Sequence, residues 1–125
     1  MVGLSKGQMH SIEEEVTPNL AASKIGSGAL DVYSTPSMIA LMERASMLCV
    51  SKCLLETQTT VGGSVNIRHR KASAIGSKIK CIAKLIGIDG KKIEFEVSAS
   101  ENGVLIGDGL HTRFIVDKEK FMSSV

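Results

Sequence analysis

One apolar stretch of the chain, interrupted by a single pair of charges, most constrains the fold. Between positions 36 and 51 the only charged residues are Glu43 and Arg44. A helix that is apolar on nearly all sides is normally buried. Thr35 and Pro36 begin the stretch, and Thr is a good helix N-cap while Pro is favoured at the first helical position. The sequence therefore predicts a buried helix over residues 36–54, capped by Thr35.

Glu43 is out of place on such a helix. A buried carboxylate is costly unless it is paired, hydrogen-bonded or shifted in pKa. Glu43 could form a structural ion pair, but Arg44 is a poor partner because adjacent helix positions do not face each other. We therefore interpret Glu43 as a functional carboxylate, able to activate water or to attack a carbonyl.

The rest of the chain is typical of β-strands. Period-two patterns predict strands over residues 8–16, 58–70, 77–87, 93–99 and 104–116, with a short helix over 117–122. Residues 19–28 are interpreted as a loop, and 29–34 as a strand or an entry into the helix. The sequences Asp89-Gly90 and Glu101-Asn102-Gly103 mark turns. The order is a strand, a helix and a four-strand antiparallel meander, which is an α+β architecture in one domain, residues 1–125.

The apolar helix also predicts self-association. A helix that is apolar on all sides cannot be covered by one small sheet, so either a loop or a second subunit must cover its other side. We expect a homodimer, possibly a dimer of dimers, because obligate interfaces hide apolar surface of this kind.

Composition excludes several classes of function. The net charge of +2 and the scarcity of aromatic residues, with one Tyr, three Phe and no Trp, argue against nucleic-acid binding. No apolar run approaches the roughly 20 residues of a membrane span, and no signal peptide is recognisable. The three cysteines lack C-x-x-C spacing, which favours reduced thiols in the cytoplasm. His10 and His111 lack metal-ligand spacing with a third residue, so no metal is expected.

A histidine and two glycines complete a chemical set with Thr35 and Glu43. His69 has the strand parity of apolar neighbours, which places it on the inner face, where a lone histidine is more often a core residue. Gly62 and Gly63 could be a plain β-bulge, although a bulge can also turn one N–H toward a ligand. Together a Thr, a Glu, a Gly and a His supply the parts needed to hydrolyse an acyl ester or thioester.

These residues and their spacing carry a family resemblance that spans about residues 8–121. The segments are Val32-Tyr33-Ser34-Thr35-Pro36-Ser37-Met38-Ile39-Ala40-Leu41-Met42-Glu43, Thr59-Thr60-Val61-Gly62, Asn66-Ile67-Arg68-His69 and Gly109-Leu110-His111-Thr112-Arg113. The chain resembles the hotdog-fold acyl-CoA thioesterases, within the fluoroacetyl-CoA thioesterase-like subgroup.

The resemblance implies a fold, a substrate and roles for the site residues. The fold is a hotdog: a long central helix wrapped by an antiparallel β-sheet, dimeric, with acyl-CoA as substrate and no cofactor beyond the CoA of that substrate. Thr35, Glu43 and His69 match catalytic residues, and Gly62 matches the glycine whose N–H faces the thioester oxygen. Three further residues are expected to bind substrate: Arg113, Gly63 and Arg70. The basic run at 68–71 is either a set of solvated strand charges or a contact for the phosphates of CoA.

The chain departs from the family pattern at one segment, and two alternative functions remain open. The fluoroacetyl-specific enzymes place phenylalanines before the helix as an apolar lid, whereas residues 24–30 contain none here. Selectivity for fluoroacetyl groups is therefore not expected. The alternatives are a hotdog hydratase, which typically uses an Asp/His pair, and a non-catalytic acyl-CoA-binding module, which would not need an intact Thr, Glu and His set.

Overall fold

The computed structural model describes residues 3–125 and confirms the predicted α+β hotdog fold. The strands are β1 (Met9–Glu15), β2 (Gln58–His69), β3 (Lys78–Asp89), β4 (Lys92–Glu101) and β5 (Val104–Asp117). The helices are α1 (Ala22–Ile25), α2 (Thr35–Ser51) and α3 (Lys118–Ser123), with a 3₁₀ turn at Pro18–Leu20. Within the described residues, no helix is long and apolar enough to cross a bilayer.

The sheet is antiparallel, but its strand order differs from the predicted four-strand meander. The order is β1-β3-β4-β5-β2, so only β3, β4 and β5 form a meander. Tight turns join those strands, with positive φ at Gly90, Asn102 and Gly103. Residues 70–77, between β2 and β3, are long enough to cross the sheet, and β2 pairs with β5 rather than with β3.

The core lies between one face of α2 and the inner face of the sheet. Buried helix positions recur with the helical period: Ser37, Met38, Leu41, Met42, Ala45, Ser46 and Val50. On β3 and β4 the buried residues alternate with exposed ones, as in a sheet that is covered on one face: Ile79, Cys81, Ala83, Leu85, Ile93, Phe95, Val97 and Ala99. The opposite side of α2 is not covered by the chain itself.

The sheet covers only one side of α2, as expected for a helix that is apolar on several sides, so the single chain leaves the other side open. The side chain of Glu43 is 42% exposed, and Leu48 is also exposed. The apolar pattern of the helix is real, but periodicity cannot distinguish a side that packs on the sheet from a side that is left open. The carboxylate of Glu43 consequently faces a surface rather than a closed core.

The start of α2 also differs from the prediction in a way that matters for the site. Ser34, not Thr35, is the N-cap, and its Oγ accepts a hydrogen bond of 3.1 Å from the backbone N–H of Ser37. Thr35 is the first helical residue, so its hydroxyl is not used for capping. Upstream, residues 19–28 contain the 3₁₀ turn and α1 instead of a plain loop, while 29–34 form bends with isolated bridges.

The two edge strands of the sheet are chemically different. β1 carries Glu13, Glu14 and Glu15, and charged side chains on an edge oppose pairing with another strand. β2 is longer, and five consecutive residues at its centre, 62–66, are exposed and uncharged. β2 is therefore the edge that remains open to pairing.

Candidate active site

The first group of site residues joins the start of α2 to the end of β2. Thr35 Oγ1 and His69 Nδ1 are hydrogen-bonded at 2.8 Å. The other ring nitrogen of His69, Nε2, is buried and has no hydrogen-bond partner among residues 3–125. Burial lowers the pKa of His69 from its ordinary value of 6.5, so the ring is neutral at pH 7. A neutral histidine bonded to a hydroxyl is the arrangement of a base beside its nucleophile.

Tyr33 is buried and packs against the ring of His69. The two rings meet edge to face, with centroids 6.4 Å apart. The Tyr33 hydroxyl donates to Glu14 at 2.6 Å, and Glu14 also pairs with Arg44 at 3.1 Å. Arg44 is thus occupied by Glu14 and leaves Glu43 to another partner.

A cleft of about 300 Å³ opens beside this group. Its lining includes Tyr33, Thr35, His69, Ser27, Arg70 and Lys71. The cleft therefore brings the Thr35–His69 pair and two basic residues to one surface. The segment 24–30 reaches this cleft through Ser27, while Ile25 and Leu30 are exposed to solvent.

The second group surrounds Glu43. Its Oε2 lies 3.9 Å from Nη1 of Arg113, which is 6% exposed. Nε and Nη2 of Arg113 donate to the hydroxyl and the backbone carbonyl of Thr60, at 2.8 and 2.9 Å. A β-carbon at Gly62 would lie 2.8 Å from Glu43 Oε2, so only glycine fits against the carboxylate without a shift. Burial lowers the pKa of Arg113, and the Glu43 carboxylate opposes that shift.

His111 belongs to this second group, although the sequence assigned it no role in the site. The ring is 1% exposed and stacks on Phe95 with centroids 6.4 Å apart. Its Nε2 lies 3.2 Å from Arg113 Nη1, and its Nδ1 lies 2.8 Å from the carbonyl oxygen of Ser64. The period-two spacing of His111 and Arg113 on one strand, both inward, was the available signal. No cluster of three or more candidate metal ligands occurs within residues 3–125.

The two remaining predicted binding residues have other neighbours in the single chain. Gly63 packs against the Phe114 ring, and a β-carbon there would clash with that ring. Arg70 borders the cleft and forms an ion pair with Asp108 at 2.8 Å. Gly63 therefore serves close packing of β2 on β5, while Arg70 keeps a place beside the cleft.

The single chain does not bring the two groups together. Thr35 and Glu43 are eight residues apart on α2, which is about 12 Å along the helix axis. His69 and Gly62 are seven residues apart on β2, which is about 20 Å along the strand. One chain therefore holds a hydroxyl–imidazole pair at one place and a carboxylate with a glycine N–H at another.

Comparisons with known proteins identify the family of the chain. Residues 16–119 match the family described as fluoroacetyl-CoA-specific thioesterase. The fluoroacetyl-CoA thioesterase of Streptantibioticus cattleyicolor is 28% identical over 95 residues, covering 76% of this chain and 68% of that protein.

Solved structures give the same result at the level of the fold. The crystal structure of a point mutant of the fluoroacetyl-CoA-specific thioesterase FlK superposes with a TM-score of 0.94 at 24% identity, covering 100% of this chain and 97% of that one. A thioesterase superfamily member from Thermus thermophilus gives a TM-score of 0.91 at 26% identity, covering 99% of this chain and 92% of that one. The chain belongs to the fluoroacetyl-CoA-specific thioesterase family.

Proposed function

We propose that this chain hydrolyses acyl-CoA thioesters to a free acid and CoA, at a site that two subunits of a homodimer complete together. The 2.8 Å hydrogen bond between Thr35 and His69 is the observation that carries the proposal. Family membership supports the reaction class. The unpartnered Nε2 of His69 and the exposed carboxylate of Glu43 support completion by a second chain.

The chemistry follows from the direction of the hydrogen bond. When Thr35 donates to Nδ1 of His69, Nε2 carries the proton and needs an acceptor, and a carboxylate such as Glu43 suits it. Thr35 Oγ1 then attacks the thioester carbonyl while its proton passes to His69. When the C–S bond breaks, His69 gives this proton to the departing CoA sulfur, and the acyl group stays on Thr35 as an ester. Water releases the acyl group from Thr35 by the reverse proton path. The N–H of Gly62 stabilises the oxyanion, a contribution worth about 3 kcal/mol for one such donor.

Pairing of two β2 edges provides the geometry. Because the bulge adds one residue between Gly62 and Ser64, a two-fold axis at Asn66 sets Gly62 of one subunit opposite His69 of the partner subunit. Glu43 lies against Gly62 in the same chain, so this pairing also brings the Glu43 carboxylate close to His69 of the partner subunit. The axis falls on the exposed, uncharged centre of β2, and it yields two equivalent sites.

Hydrolysis needs only water, so no cofactor is required beyond the CoA of the substrate. We place the phosphates of CoA near Arg70 and Lys71, which line the cleft beside His69. The three cysteines are free thiols, which suits a reducing compartment and supports a cytoplasmic location.

The experiment that tests the function is release of free CoA thiol from a panel of acyl-CoAs, from short to long and including aromatic acyl groups. We expect saturable, enzyme-dependent release with at least one member. Tight acyl-CoA binding without thiol release would favour the non-catalytic binding module, and hydration of an enoyl-CoA without release would favour the hydratase.

The edge pairing predicts the effect of Val65→Asp. Val65 is 43% exposed and lies beside the proposed axis, so the substitution sets two carboxylates near each other in the dimer. We expect the dimer to dissociate and kcat/KM to fall by about tenfold or more, because each site loses half of its residues. Analytical ultracentrifugation at micromolar protein measures the first effect and thiol release the second.

Val104→Asp is the matched control, since Val104 is similarly exposed but lies at the start of β5. It should remain dimeric and active. A wild-type protein that sediments only as a 13.3 kDa species would overturn the proposed dimer.

Substrate selectivity gives another prediction. The segment before α2 presents Ser27 to the cleft where an aromatic lid would exclude water. We expect no strong preference for fluoroacetyl-CoA over acetyl-CoA, because an apolar pocket separates near-isosteres by only about 1–3 kcal/mol even when it is well shaped. Acyl groups larger than acetyl should react as well or better. A kcat/KM ratio above roughly 10³ for fluoroacetyl over acetyl would contradict this expectation.

A further inference from the structure

We propose that His111 is a positioning residue, a neutral imidazole that clamps the β2 bulge to Arg113 and thereby holds the Gly62 N–H and the Glu43 carboxylate in register. The inference rests on the proposed function for its catalytic consequence. The clamp itself consists of hydrogen bonds within one chain, so it can be tested without substrate.

The hydrogen bonds of His111 define a single tautomer. The carbonyl oxygen of Ser64 can only accept, so Nδ1 of His111 carries the proton and donates across 2.8 Å. Nε2 is then an acceptor, and Arg113, whose nitrogens only donate, supplies its partner from Nη1 at 3.2 Å. Both ring nitrogens are satisfied in the neutral Nδ1–H form and in no other. A proton on Nε2 would face the guanidinium.

The surroundings of the ring favour the same state. The charged groups that face it are Arg113 on β5 and Glu43 on α2, while β4 contributes the uncharged ring of Phe95 and β2 the Ser64 carbonyl. Burial lowers the pKa of His111 below its ordinary 6.5, and the positive charge of Arg113 lowers it further, against opposing contributions from the Ser64 carbonyl and Glu43. Since the folded-state pKa is depressed, this contribution to stability is present above pH 6.5 and is lost as the pH falls through the lower value.

The position of the clamp links it to the reacting groups. The register of β2 against β5 shifts between Gly62 and Ser64, and His111 is bonded to the Ser64 carbonyl at the end of that bulge. On its other side it orients Arg113, which is also held by Thr60 and lies 3.9 Å from Glu43. One ring therefore sets both the bulge that presents the Gly62 N–H and the cation that faces the carboxylate. A shift of about 1 Å in either can cost a hundredfold in rate.

Two variants separate the halves of the clamp. In His111→Asn, the amide nitrogen replaces Nδ1 and keeps the bond to Ser64, but nothing reaches Arg113. In His111→Gln, the amide oxygen approaches the position of Nε2 and accepts from Arg113, but the bulge is released. We expect each to lower kcat by about tenfold or more with little change in KM, because Arg70 and Lys71, which we place against the phosphates of CoA, line the cleft beside His69. His10→Asn, on the distant strand β1, is the control and should leave kcat unchanged.

A double-mutant cycle with Glu43→Ala distinguishes positioning from a general loss of structure. His111→Asn breaks only the link to Arg113 and so to Glu43, and in the Glu43→Ala background it should cost less than about twofold more, whereas His111→Gln, which releases the bulge, should keep most of its cost. Fully multiplicative losses for His111→Asn with Glu43→Ala would show that His111 acts independently of Glu43 and would overturn the proposal. Circular dichroism and thermal unfolding identify a variant that fails to fold. If one of His111→Asn and His111→Gln fails to fold, the other is used for the test.

Nitrogen-15 NMR of the imidazole rings tests the clamp without any substrate. We expect His111 in the neutral Nδ1–H form at pH 7, with a pKa below 6.5. An Nε2–H tautomer or a charged ring at pH 7 would overturn the clamp, whatever the activity. Absence of thiol release from every acyl-CoA, with the ring in the expected form, would instead refute the proposed function and leave the clamp supported as a device of the fold.

Discussion

Replacing Glu43 or His69 by alanine should lower kcat/KM for acyl-CoA hydrolysis by about a hundredfold or more, because positioned proton-transfer groups contribute 10²–10⁴ in rate. His69 is the hydrogen-bond partner of the Thr35 hydroxyl, and its neutral ring can accept the proton of that hydroxyl at 2.8 Å. Glu43 is the exposed carboxylate beside Gly62. Steady-state thiol release with the best acyl-CoA of the panel measures both effects.

Both variants should remain folded, since neither side chain belongs to the buried core. Glu96→Ala and His10→Ala are the controls, because these residues lie on β4 and β1 away from both groups, and each should retain wild-type rates. Activity near the wild-type level in His69→Ala would exclude His69 as the base. A Glu43→Ala protein that is fully active and more stable would show that Glu43 is only an unfavourable charge.

Much of this arrangement was accessible from sequence because it depends on local periodicity. The residues that alternate on β3 and β4 are the buried ones, and Thr35 and His69, both predicted as site residues, lie within hydrogen-bond distance. Their roles in catalysis stay predictions. The N-cap was wrong by one residue because Ser34 and Thr35 are both good caps, and only the bond from Ser37 identifies the first as the cap.

The sequence predictions were wrong where the structure depends on contacts between residues far apart in the chain. Turn signals specify which consecutive strands form hairpins, but they do not say at which edge a strand joins the sheet, so β2 was placed beside β3 instead of β5. Apolar periodicity showed that α2 has several apolar sides but not which of them the chain itself covers. Glu43 was therefore expected in a core, and it lies at an open face with 42% of its side chain exposed.

His111 was missed for a different reason. His111 has no metal-ligand spacing in the sequence, and its period-two spacing with Arg113 does not by itself indicate a role. Its importance comes from the carbonyl of Ser64, a backbone atom across the bulge, and from the side chain of Arg113 two residues along the same strand. Only the strand register brings the first of these to the ring.

The second large effect is a recovery of activity in a mixture of two inactive proteins. If Thr35 and His69 of one subunit work with Glu43 and Gly62 of the partner subunit, a dimer of one Glu43→Ala chain and one His69→Ala chain contains one intact site and one doubly damaged site. Random reassociation makes half of the dimers mixed, so the mixture should regain about a quarter of the wild-type activity per chain. Sites confined to one chain would regain nothing.

The most direct test of the two-subunit site is therefore thiol release by Glu43→Ala and His69→Ala proteins that are unfolded, mixed in equal amounts and refolded together. Each protein refolded alone, and a mixture assayed before unfolding, are the controls. We predict activity near a quarter of wild type only after joint refolding. Activity no greater than the sum of the separate proteins, with mixed dimers demonstrated by mass, would contradict the account.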